Sequence, residues 1–156
     1  MKKITPFLWF NGKAEEAVNY YVSVFPNSKI LNVVRGGEDR GPQGSVSIIT
    51  FSLNGEEFMA LNGGPEFAFS SAISFMAVCE TPAEVDRLWA RLAAGGEEDQ
   101  CGWLRDKFGV TWQVVPEGIE QVLYGPDPVG SRRAFQAMLK MKKLDLAALK
   151  QAYAGK

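Results

Sequence analysis

An order of elements that occurs twice constrains this chain more than any single motif does. In its first occurrence, the β-branched and aromatic run Ile4 to Phe10 reads as a strand that ends at Asn11-Gly12. Ala14, Ala17, Val18, Tyr21, Val22 and Phe25 then recur at helical spacing on one face, and Pro26 stops the helix. Lys29 to Arg35 forms a further strand. Gly36 to Gly44 carries four glycines, a proline and both signs of charge, and reads as a mobile loop. Ser45 to Leu53 and Glu56 to Leu61 flank Asn54-Gly55, a dipeptide suited to the positive φ angles of a type I′ turn, which predicts a tight antiparallel hairpin.

After a connector from Asn62 to about Ser71, the same order returns. Ala72 to Glu80 is an apolar strand. Thr81 supplies an N-cap, Pro82 a first helical residue and Glu84 the acidic member of a capping box; Val85, Leu88, Trp89 and Leu92 continue at helical spacing until Gly95-Gly96. Gln100 to Arg105 and Val110 to Val115 pair across Asp106 to Gly109, and Glu97 to Cys101 carries a weak signal for a third strand. The remainder is helical. Phe135, Met138 and Leu139 mark one helix, and Leu144 and Leu149 bracket Asp145 as a hydrophobic staple around an N-cap, with Leu146, Leu149 and Tyr153 on one face. Helices this short need a surface to lie on. The predicted class is α+β: a βαβββ module at about 1–65, a second at about 71–118 and a helical extension at about 119–156.

Composition narrows the chemistry. A chain of 156 residues with four Trp and ten Phe fits one domain with a substantial core. It contains no histidine, so no Ser-His-Asp triad, Cys-His pair or imidazole ligand exists, and catalysis would rest on carboxylates, Lys, Tyr, Cys, a cofactor or an oxygen-bound metal. Cys79 and Cys101 lie 22 positions apart, with neither metal-ligand spacing nor a dense disulfide framework, as expected of a reducing compartment. No apolar run approaches the roughly 20 residues of a membrane span, and the first residues lack a signal-peptide pattern, so a cytoplasmic protein without membrane partners is expected. Residues 131–156 carry +6 of charge within a net charge of −1. Their lysines fit the solvated face of an amphipathic helix better than a nucleic-acid surface.

FLWFNGKAEEAVNYYVSVFPNSKI, FMALNGGPEFAF, AISFMAVCET, CGWLRDKFGVTWQVVP and AMLKMKKLDLAALKQAYAG together resemble the PhnB-like family, often labelled 3-demethylubiquinone-9 3-methyltransferase-like. That family lies in the vicinal oxygen chelate superfamily of glyoxalases, extradiol dioxygenases and bleomycin- or fosfomycin-resistance proteins. The resemblance implies a single glyoxalase-like domain whose two modules curl mixed sheets around a central cavity, usually within a homodimer. It also implies a metal position on the first and last strands of each module, which maps near Thr5, Phe58, Ile73 and Gln113. One amide and one hydroxyl hold a divalent ion weakly, so the metal site is expected to be lost, with no cofactor in its place; Glu56 and Glu57 are the nearest carboxylates.

The residues expected to line a ligand site are Thr5, Phe7, Trp9, Phe58, Asn62, Ile73, Phe75, Trp103 and Gln113. Strand alternation puts Thr5, Phe7 and Trp9 on one face, where Phe7 and Trp9 suit core packing and an aromatic wall equally. Gln113, flanked by Trp112 and Val114, needs a partner: a ligand, a neighbouring strand or a buried water. Asn62-Gly63-Gly64 fits a loop exit better than an anion-binding turn. Cys101 has only Arg105 and Lys107 nearby in sequence to activate a thiolate, and Cys79 reads as core. Gly36-Gly37 leads into a loop and a strand, where a methyltransferase of the doubly wound kind needs a Gly-rich turn and a helix to cradle its cofactor. The leading expectation is a protein that binds a small, partly apolar molecule in a metal-free cavity. The alternatives are a lyase, isomerase or oxygenase with nonstandard metal ligands, and a drug-sequestering resistance protein.

Overall fold

The computed structural model describes residues 3–37 and 45–156, so most of the loop expected from Gly36 to Gly44 lies outside the described residues. The chain divides into two compact units, one ending at Phe69 and the other beginning at Ser70.

The first unit runs β1 (Phe7–Asn11), α1 (Ala14–Val24), β2 (Lys29–Arg35), β3 (Val46–Leu53) and β4 (Glu56–Gly63), with sheet order β1-β4-β3-β2. Only the outer pair β1–β4 is parallel. Asn54 and Gly55, with φ of 47° and 89°, form the expected two-residue turn between Leu53 and Glu56. The first strand begins later than expected, at Phe7. Pro6 has no N–H to extend the ladder, although its carbonyl still accepts the Met59 amide at 2.9 Å. At its other end, β4 runs two residues past Leu61, so Asn62 sits within the strand rather than at a loop exit.

Ala14, Ala17, Val18, Tyr21 and Val24 bury one stripe of α1 beside Val46, Ile49 and Phe51 of β3. Val24 completes that stripe in place of Phe25, because Phe25 has already turned to extended backbone as the C-cap. Lys13 gives the N-terminus of α1 no side-chain cap. The sheet supplies one instead: Asn62 Oδ1 accepts the Ala14 N–H at 2.8 Å, while Asn62 Nδ2 donates to the Val46 carbonyl at 3.0 Å.

The second unit repeats the order with β5 (Phe75–Cys79), α2 (Pro82–Ala93), β6 (Glu97–Glu98), β7 (Trp103–Arg105) and β8 (Thr111–Pro116), and its sheet order is β5-β8-β7-β6. First strand and last strand are again parallel neighbours. The internal duplication read in the sequence is therefore a duplication of topology. Thr81 Oγ1 caps α2 through the Glu84 N–H at 3.2 Å, and Glu84 reaches back to the Glu80 amide at 2.8 Å, one residue before the cap. Val85, Leu88, Trp89 and Leu92 are all buried, as their spacing predicts.

Strand boundaries shift here too. β5 starts at Phe75 rather than Ala72, and the strand expected from Gln100 contracts to Trp103–Arg105. The cause is local: Cys101 and Gly102 take φ of 60° and 83°, a tight turn closed by the Trp103 N–H on the Gln100 carbonyl at 3.1 Å. The weakly signalled strand exists as the two residues Glu97–Glu98.

Beyond β8 come α3 (Glu120–Leu123), which the sequence pattern did not reveal, α4 (Pro128–Met138) and α5 (Leu146–Ala154). Asp127 and Asp145 cap the last two through Val129 N at 2.9 Å and Ala148 N at 3.0 Å. Val122, Ala134 and Leu149 form their shared core, with Ile119, Leu146 and Tyr153 packed around it. The Cys101 and Gly102 amides donate to the Met141 and Lys142 carbonyls, both at 2.7 Å, which ties the α4–α5 connection to the β6–β7 turn. Among the described residues, no helix is long and apolar enough to cross a membrane.

Candidate functional site

Each sheet has a face under its helix and a face turned away from it, and strand register decides which side chains reach which. In the first unit Asn62 bonds the start of α1, which puts its face, with Phe10, Ala60, Ile49, Phe58 and Phe51, on the helix side. Phe58 stacks on Phe51 with ring centroids 5.6 Å apart. The residues between them point the other way: Phe7 is paired with Met59, Trp9 with Leu61, and Met59 and Leu61 with Thr50 and Ile48. Phe7 is 46% exposed there, and Trp9 is half-buried. Thr5 lies half-buried just ahead of the strand.

Trp9 is held in place. Its Nε1 donates to the Gly64 carbonyl at 3.0 Å, Phe67 meets its ring edge-on with centroids 5.0 Å apart, and the indole covers Gly63 so closely that a Cβ there would lie 2.1 Å from it. Only glycine fits under the ring.

In the second unit α2 covers the face of Leu104, Trp112, Val114 and Cys79, as the bond from Trp89 Nε1 on α2 to Glu98 Oε1 at 2.8 Å shows. Phe75 belongs to that face and packs against Trp112 with centroids 5.5 Å apart. Facing away from α2 are Ser74 just ahead of β5, Met76 and Val78 on β5, Gln113 and Val115 on β8, and Trp103 on β7, on the side of β8 away from β5. Met76 is 61% and Val78 57% exposed, while Gln113, Val115 and Trp103 are half-buried. Ile73 stands 75% exposed ahead of the strand. Gln113 Nε2 donates to Ser74 Oγ at 2.8 Å, so the half-buried amide has its partner just ahead of the adjacent strand.

Thus Phe7 and Trp9 come together on one helix-free face and Gln113 and Trp103 on another. Phe58, Asn62 and Phe75 lie on the helix side of their sheets, where Asn62 is a cap and the two phenylalanines are packed. Their neighbours Met59 and Met76 take the outward positions. Sequence reading overlooked Met59, Ser74, Met76 and Val78; each is offset by one residue from a residue or alternation it did select, and a one-residue slip exchanges the faces of a strand.

The buried carboxylate of Asp106 was likewise overlooked. It accepts the amides of Phe108 and Val110 at 2.8 and 3.1 Å and Trp112 Nε1 at 2.8 Å. These bonds make it the keystone of the β7–β8 turn. Cys79 is buried, and desolvation, reinforced by Glu84 and opposed by Arg87, raises its thiol pKa above the ordinary value. Cys101 places Sγ 3.6 Å from the Met138 carbonyl, a structural contact at the turn.

Two groups that such a fold and label imply do not fit these residues. The chain has no histidine, and among the described residues no three His, Cys, Asp or Glu side chains could hold a metal ion together. Glu57 is paired with Lys3 at 2.5 Å. The other side chains named on the helix-free faces are neutral, and charged ones that share those faces, Glu57, Glu97 and Arg105, are held in ion pairs, so the faces suit a divalent ion poorly. S-adenosylmethionine fares no better: each sheet has one parallel strand pair, and among the described residues neither unit shows the strand, Gly-rich turn and helix that cradle such a cofactor.

The chain matches the sequence pattern of the 3-demethylubiquinone-9 3-methyltransferase family over residues 2–115. The PhnB protein of Bacillus cereus is 41% identical, covers 74% of this chain and 99% of its own, and superposes with a TM-score of 0.69. A Pseudomonas aeruginosa protein at 23% identity, covering 75% of this chain and 98% of its own, superposes at 0.64. The fosfomycin resistance protein of Listeria monocytogenes, solved with Mn(II) and sulfate, shares the fold alone at 14% identity, covering 73% of this chain and 91% of its own at a TM-score of 0.54. No curated protein matches the chain.

Proposed function

We propose, from the premise that this chain belongs to the PhnB-like 3-demethylubiquinone-9 3-methyltransferase family within the glyoxalase fold, that it binds a small, partly apolar molecule without a metal ion and transfers no methyl group. One observation carries this reading: the face turned away from α2 sets the linked Gln113 and Ser74 side chains among Met76, Val78, Val115 and Trp103. A few placed polar groups on an apolar surface are what orient and hold a small ligand. Phe7 and Trp9 with Met59 and Leu61 offer a second, aromatic surface of the same kind. Trp103 and Trp9 would stack on a flat apolar group, and Gln113 would fix its orientation.

The direct test is native mass spectrometry on protein purified with and without chelator, together with metal analysis. The reading expects a small organic adduct, displaced in a Trp103→Ala variant, and no stoichiometric metal. A stoichiometric transition metal, or micromolar S-adenosylmethionine binding by calorimetry, would overturn it. We further propose that the protein is a homodimer, supported by the exposed Val129 and Phe135 on α4 and Leu139 at its C-cap. Sedimentation at micromolar concentration should give twice the chain mass; a monomer would refute the dimer while leaving the binding reading intact.

A further inference from the structure

Resting on that reading, we infer that the Gln113–Ser74 site selects uncharged ligands that carry a hydrogen-bond donor and an acceptor side by side, such as a primary amide, a lactam or a hydroxyketone, on an apolar or aromatic body.

The inference comes from counting what the pair leaves over. Gln113 has a carboxamide oxygen and two N–H donors, and Ser74 has one O–H donor and an oxygen that accepts. With one Nε2 hydrogen donated to Ser74 Oγ, Gln113 Oε1 remains as an acceptor, and the second amide N–H and the Ser74 O–H remain as donors. Neither group makes another side-chain hydrogen bond with the described residues. A flipped carboxamide gives the same total: Ser74 would donate to the amide oxygen, leaving both amide N–H groups as donors and the serine oxygen as acceptor. In either state the pair offers at least one donor and one acceptor side by side on the same face and no charge. It can also reverse their order to suit the ligand.

The surroundings enforce neutrality. Met76, Val78, Val115 and Trp103 give an ion nothing to replace its hydration. Arg105, on the same face two residues beyond Trp103, is paired with Glu97. Glu80 and Glu117 lie beyond the other end of the strands, Glu117 four residues from Gln113, or roughly 13 Å along an extended chain. An anion or a cation would therefore meet no uncommitted counter-charge on this face, whereas an amide would exchange its water contacts for two matched bonds.

Three probes of one shape separate the cases at neutral pH: benzamide, benzoate and benzylamine, titrated into the full chain while the amide and side-chain NMR signals of Met76, Trp103 and Gln113 are followed. The expected result is millimolar benzamide binding, at least about tenfold tighter than either ion, a difference of one good hydrogen bond. Gln113→Glu should shift preference toward benzylamine. Ser74→Ala should cost benzamide about threefold to tenfold with little effect on the ions, and provides a second readout should Gln113→Glu fold poorly. Benzoate or benzylamine binding as tightly as benzamide at these same residues would overturn the inference and leave a ligand site standing. If no probe moves those signals, the binding site itself is refuted and the inference falls with it.

Discussion

Asp106 and Trp112 are both buried, and the carboxylate accepts the indole N–H at 2.8 Å while its other oxygen holds the amides of Phe108 and Val110. One side chain thereby closes the β7–β8 turn and fixes the strand that carries Gln113. Asp106→Ala strips three donors of their acceptor and should lower stability by about 2–4 kcal/mol in urea unfolding, since hydrogen bonds to charged groups are worth about 1.5–3 kcal/mol each and are not additive. Asp106→Asn retains an acceptor for the amides but turns an N–H toward the indole, so its loss should be smaller. A neutral Asp106→Ala would show that the turn is held by something else.

Asn62 predicts differently from its neighbours on β4. As the cap of a helix whose own N-cap residue supplies none, it should contribute like an N-cap side chain, and Asn62→Ala should cost about 1–2 kcal/mol. Hydrogen exchange at the first turn of α1 should accelerate in that variant.

Gly63→Ala should move Trp9. The added Cβ would lie 2.1 Å from the indole, so the ring must leave its position and give up the bond to the Gly64 carbonyl. A change in tryptophan fluorescence with loss of binding on the Phe7 face is expected, and a crystal structure of the variant with Trp9 unmoved would contradict it.

Cys79 carries the pH dependence that can be signed. Its folded pKa is raised, first by burial and then by Glu84, so the neutral thiol is favoured in the folded state. The corresponding contribution to stability is fully present below the ordinary thiol value of 9.0 and is lost as pH rises through the higher folded value. A Cys79→Ala variant should lack this alkaline decline. In the native protein, thiol reagents at neutral pH should modify the half-buried Cys101 and spare Cys79 until the chain unfolds.

The double change Gln113→Leu with Ser74→Ala should leave stability within about 1 kcal/mol of the parent, because both partners of a half-buried bond disappear together. Ligand affinity should fall while the unfolding midpoint stays, which separates a binding role for the pair from a structural one.

The linear pattern was enough to establish both βαβββ units, the buried stripe of α2, the Asn54-Gly55 turn and the caps Thr81 and Asp145, because each rests on contacts a few residues apart in the chain. It also contained the absence of histidine, which removes most metal and nucleophile chemistry without reference to any fold. Tertiary structure alone decided which side chains share a surface. Whether Phe58 or Met59 stands beside Phe7, and whether Phe75 or Met76 stands beside Gln113, depends on the register between strands roughly 35 to 50 residues apart, and both members of each pair are apolar enough for either face. The roles of Asn62 and Asp106 were hidden for the same reason. Their partners are chosen where the backbone brings an unfilled helix end or an indole within reach, and a polar residue in an apolar run does not itself reveal which group it will meet.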